Sequence, residues 1–89
     1  MNLSRSIFEE VNKTSQEDKV NKVLNFLIYD EEEAIEGYTK SIKDLGKVLT
    51  DEEKIRLVNE CFSHIIDEEK EHIEEIKSLA KDLGISITE

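Results

Sequence analysis

The sequence contains no proline, no tryptophan, three glycines and one cysteine. Each scarcity excludes something. With glycine only at 37, 46 and 84 and no proline anywhere, little in the chain interrupts a long helix. Val, Ile and Thr do not fall into alternating runs, so no sheet is read. The longest apolar run, Phe26-Leu27-Ile28, is far too short to span a bilayer. Met1 to Arg5 lead into no apolar segment, so no secretory signal is read there. A lone cysteine, Cys61, excludes an internal disulfide and fits a reducing, cytoplasmic setting. Positive charge is also scarce: 12 Lys and Arg against 22 Asp and Glu leave a net charge of −10. That surface repels nucleic acid and anionic membrane, so neither is expected as a partner, and it suits cations. Eighty-nine residues make one small domain, near the lower limit for a self-sufficient core.

What is present is helical periodicity. Residues 16–45 and 51–83 each sustain it, and a short first helix is expected over about 5–13, capped by Ser4 or Ser6. Thr14 or Ser15 then caps the first long helix. Gly46 suits the position after that helix, and Thr50-Asp51-Glu52-Glu53 reads as a capping box with Thr50 as N-cap. Gly84 closes the second long helix, with Ile85 placed for the apolar contact that follows a glycine cap. A short link makes the long helices antiparallel neighbours. Two helices leave much apolar surface uncovered. The fold expected is therefore all-α: one domain over 1–89, a helical hairpin that dimerises into a four-helix bundle.

On the second long helix an apolar row runs Ile55, Val58, Phe62, Ile65, Ile76, Leu79 and Leu83, spaced by threes and fours. Its two middle positions are Glu69 and His72. On the first, the row Leu24, Leu27 or Ile28, Ile35, Tyr38, Ile42 and Leu45 is broken by Glu31. A carboxylate in such a row is expensive without a partner. Glu31 lies fifteen residues before Gly46 and Glu69 nineteen after Thr50, a difference in depth of about 6 Å along an antiparallel pair. The three ionisable residues should converge at mid-height. Glu69 and His72 form an ExxH pair on one helix face, and carboxylate with imidazole suits Fe, Mn or Zn. Spacing alone is weak in a chain with sixteen glutamates, and a buried Glu–His ion pair, or a row end open to water, is the plainer alternative. Di-iron carboxylate bundles use a Glu from each of two helices and an ExxH from each of the other two. This chain holds half of that set, so two copies would complete it.

These residues resemble the ferritin-like superfamily, and most closely the encapsulated ferritin family. Asp30-Glu31-Glu32-Glu33-Ala34-Ile35-Glu36-Gly37-Tyr38 is similar to its first motif, and His64 with Asp67-Glu68-Glu69-Lys70-Glu71-His72 to its second. The resemblance covers about residues 20–83. It implies that Glu31, Glu69 and His72 are the ligands of a di-iron ferroxidase centre between two subunits, with Tyr38 beside it. Asp30 and Glu33 would line an iron entry path, and His64, Glu68 and Glu71 would form an outer site for divalent cations. It further implies oxidation of Fe(II) by O₂ for iron storage, an annular decamer of five dimers, and residence as cargo inside an encapsulin nanocompartment. Two positions depart from the family pattern: Gly37 replaces a common tryptophan and Asp30 a glutamate. The segment Asp82-Leu83-Gly84-Ile85-Ser86-Ile87 faintly resembles an encapsulin cargo peptide, although an ordinary glycine cap is the preferred reading. Two other functions fit the pattern. One is a rubrerythrin-like peroxide reductase, which usually carries a module of paired cysteines absent here. The other is a non-catalytic helical adaptor that dimerises through its apolar rows.

Overall fold

The computed structural model describes residues 2–87, with side chains from 16 to 87. Among the described residues there are two helices: α1, Asn2–Val48, and α2, Glu52–Asp82. They lie against each other as a hairpin. The molecule measures 76 × 19 × 12 Å, so its thinnest dimension is one helix. Neither helix is long and apolar enough to cross a membrane.

Three local expectations are corrected. The short helix over 5–13 and the first long helix are one: α1 runs without a break past Thr14 and Ser15. Serine and threonine can cap a helix but do not force one to start, and no glycine or proline lies there to break it. Gly46 does not terminate α1 either. The helix continues to Val48, Leu49 still donates to the Leu45 carbonyl at 2.8 Å, and Gly46 has no positive φ. The N-cap of α2 is Asp51 rather than Thr50. The Asp51 carboxylate accepts from the Glu53 backbone N–H at 2.9 Å. An anionic cap benefits from the helix N-terminus more than a hydroxyl does, which moves the start by one residue. The Glu53 side chain does not return to the cap; it pairs with Arg56.

The far end of α2 closes as expected. Gly84 takes a left-handed φ of 71°, its N–H bonds the Lys81 carbonyl at 3.0 Å, and that of Ile85 bonds the Ala80 carbonyl at 2.9 Å. This is a Schellman closure, for which glycine is the residue without a steric penalty. The chain beyond turns back onto α1, where the Asn21 side-chain amide donates to the Ser86 carbonyl. Asn25 in turn donates to the Asn21 side-chain oxygen at 2.5 Å.

The rows that face each other differ from the expected ones in one respect. On α1, Leu24 and Ile28 are buried, and Glu31, Ile35, Tyr38, Ile42 and Leu45 are half-buried. On α2 the α1-facing row starts through Val58, Phe62, Ile65 and Glu69, then passes to Ile73 and Ala80. Leu79 and Leu83, expected in that row, are 48% and 53% exposed. A straight helix drifts about 20° per heptad against a strict 3.5-residue repeat. Over the length of α2 the drift carries Leu79 and Leu83 off the contact and onto one side of the hairpin, and leaves His72 at its edge. Among the described residues only Leu24, Ile28, Ile73 and Ala80 are buried, so the hairpin has the beginnings of a core and no layer to complete it.

Candidate metal centre

Glu31 reaches the middle of the hairpin from α1, and Glu69 and His72 reach it from α2. Each offers a ligand atom, and these atoms all lie within 4.8 Å of one another. The depth calculation from the two turns thus holds: residues 38 positions apart in sequence meet across the helix pair. Among the described residues this is the one group of three His, Cys, Asp or Glu side chains at such distances.

The environment of the three is uneven. The Glu31 side chain is 25% exposed and that of His72 48%. Glu31 Oε2 is buried and has no hydrogen-bond partner, while His72 Nδ1 stands 3.5 Å from it. That distance is too long for a hydrogen bond. The contact is within ion-pair reach when the imidazole is protonated, so the plainer Glu–His pair is present in loose form, yet it leaves the buried oxygen without a hydrogen bond. A cation bound by all three side chains would satisfy that oxygen. Two carboxylates and one imidazole form a donor set suited to Fe(II), Mn(II) or Zn(II), and three protein ligands leave coordination positions open.

The remaining residues singled out by sequence are placed as follows. Tyr38 is half-buried two turns along α1 from Glu31, its ring edge-on to Phe62 with centroids 5.4 Å apart. Asp30 and Glu33 are exposed. Glu33 accepts a hydrogen bond from Tyr29, and that bond, with the carboxylate's charge, raises the phenol above its ordinary pKa. His64 Nε2 lies 2.7 Å from Glu68 Oε1, both well exposed, and the structure gathers no third ligating atom with that pair among the described residues. Glu71 is exposed on the same side of α2. Cys61 is a free, exposed thiol.

Sequence reasoning missed the tail's return to α1 through Asn21. An asparagine pair at i and i+4 near the start of an apolar row was the available signal. It also missed that His72, while reaching Glu31 across the pair, would stand at the open edge of the hairpin with 48% of its side chain exposed, for which the heptad drift was the signal.

No family model, curated protein or solved structure matches this chain.

Proposed function

We propose that two copies of this hairpin pair over the open side of the Glu31–Glu69–His72 cluster and form a ferroxidase that oxidises Fe(II) with O₂. The observation that carries this reading is the meeting of Glu31, Glu69 and His72 within 4.8 Å, with Glu31 Oε2 buried, free of hydrogen bonds and only 3.5 Å from His72 Nδ1. The ligand count supports it, because one Glu and one ExxH are half of the set that di-iron carboxylate bundles use. The apolar surface supports it as well. Leu27, Leu79 and Leu83 are 41–53% exposed and need cover.

In this arrangement two Fe(II) ions, as substrate, would be held between four helices; each would yield one electron to O₂, which takes up two protons from solvent and leaves as hydrogen peroxide. Glu31 and Glu69 supply the negative charge that favours the ferric product, and His72 contributes a ring-nitrogen donor. The residues hold the metals at a fixed separation and leave positions for oxygen, which is the protein's share of two-metal chemistry. The net charge of −10 raises the local concentration of Fe(II). The resemblance to the encapsulated ferritins adds finer proposals: an annular assembly of dimers, an encapsulin shell as partner, and an outer cation site around His64 and Glu68.

Anaerobic titration with Fe(II), followed by admission of oxygen, tests the reading. Rapid growth of near-ultraviolet ferric absorbance in the wild type, lost in Glu31→Ala, Glu69→Ala and His72→Ala, is the expected result. A helical adaptor without metal chemistry would leave Fe(II) oxidation at the rate of buffer alone. A peroxide reductase would consume Fe(II) faster with peroxide than with O₂.

A further inference from the structure

A second apolar and charged pattern lies on the side of α1 that faces away from α2. Leu24 and Ile28 point at α2 and are 5% and 2% exposed. Phe26 sits two residues from each, and at about 100° per residue that is the opposite side of the helix. Phe26 is 64% exposed and Tyr29 61%. They belong to a longer row: Lys19, Lys22, Phe26, Tyr29, Glu33 and Glu36 are all exposed and are spaced three, four, three, four, three. This is the spacing of a helix-pairing stripe, on a face that the hairpin itself does not use.

The order of residues in the stripe is the informative part. It reads basic, basic, aromatic, aromatic, acidic, acidic. Laid antiparallel on a copy of itself, Lys19 meets the partner's Glu36, Lys22 meets the partner's Glu33, and Phe26 meets the partner's Tyr29. Each contact then occurs twice about the two-fold axis. A parallel alignment would instead set lysine against lysine and glutamate against glutamate, which is repulsive. The aromatic centre supplies area and the charged ends supply direction and register.

We propose that this outer stripe of α1 is a docking surface for the same stripe on a second copy of the chain, paired antiparallel. The stripe spans about 26 Å, short of what a tight independent interface needs, so the association is weak and salt-sensitive by itself. It lies on a different face from the Glu31–Glu69–His72 cluster. A hairpin with two separate self-complementary faces joins copies into assemblies larger than a dimer, each contact reinforcing the other. Only that larger size rests on the pairing proposed for the metal cluster; the stripe contact does not.

Sedimentation velocity of the full chain with chelator present, at low and high salt, tests the stripe apart from metal. Two charge-reversed variants are compared with wild type: Lys19→Glu with Lys22→Glu, and Glu33→Lys with Glu36→Lys. Lys and Glu have similar helix propensity, and far-UV circular dichroism verifies that each variant stays helical. Each variant alone is expected to lose at least half of the wild-type association at low salt, and an equimolar mixture of the two to regain it. Phe26→Ala, which changes no charge, should lose association in the same direction, and high salt should weaken the wild type toward the variants. Wild-type sedimentation by all three variants, or a mixture that stays as two separate components, overturns the proposal. Fe(II) oxidation is not the readout here, because Glu33 also belongs to the expected iron entry path; the association is measured with chelator present.

Discussion

Two regions of the hairpin meet opposite demands. Near the Gly84 end, Leu24, Ile28, Ile73 and Ala80 are buried, the last turn of α2 is closed by the Schellman bonds, and Asn21 bonds the returning chain. At mid-height the same two helices place Glu31, Glu69 and His72 together and leave Glu31 Oε2 without a donor. The first region follows the rule that buried groups are apolar or hydrogen-bonded. The second breaks it, a few turns away, on the same pair of helices. Apolar residues at 31, 69 and 72 would continue the rows on either side. The contrast assigns stability to the Gly84 end and makes the middle the candidate metal site.

That division can be broken at either region. The largest stability effect should come from Ile28→Ala, which opens a void at a side chain only 2% exposed. A loss of about 2–3 kcal/mol is expected in urea unfolding monitored by circular dichroism. Next in size, Gly84→Ala forces a side chain into φ of 71° and should destabilise by about 1–2 kcal/mol, with no change in Fe(II) oxidation. Removing the cap with Asp51→Ala is expected to cost about 1 kcal/mol, since the Glu53 N–H loses its acceptor. At the middle the sign reverses. Glu31→Leu should leave metal-free stability unchanged or raise it by about 1 kcal/mol while abolishing Fe(II) oxidation, because it replaces a stranded carboxylate with a side chain that matches its row. The smallest effect belongs to His64→Ala, which removes an exposed pair with Glu68 and should shift stability by less than about 0.5 kcal/mol. A destabilised Glu31→Leu variant would erase the contrast between the two regions.

The two-helix pattern, the antiparallel pairing and the meeting of Glu31 with Glu69 and His72 could be read from the sequence. They depend on periodicity and on depth from the turn, and both survive small errors in helix ends. The ends themselves were less readable. Thr50 and Asp51 are both good caps, and the choice between them turns on a charge–dipole difference of less than about 1 kcal/mol. Gly46 looked like a terminator because glycine favours helix ends, yet the helix tolerates it when the following turn still bonds. The start of α1 was hidden because serine and threonine near Thr14 signal a cap in one context and sit within a helix in another. Leu79 and Leu83 were assigned to the contact because a strict three-four spacing ignores the drift of a straight helix, and the drift also explains why His72 stands at the open edge. For Asn21 the Asn21–Asn25 spacing marked a polar pair, but not its partner, a backbone carbonyl 65 residues away.

The central claim is that the middle of the hairpin is half of a metal site that a second copy completes. Sedimentation equilibrium of the wild type under argon, without and with Fe(II), tests it most directly, with bound iron counted on the same samples. Fe(II) is expected to shift the protein toward pairs of chains or larger species holding about one iron per chain, because metal that binds the associated state must favour association. A chain that stays monomeric with and without Fe(II), or that associates without retaining iron, would contradict it.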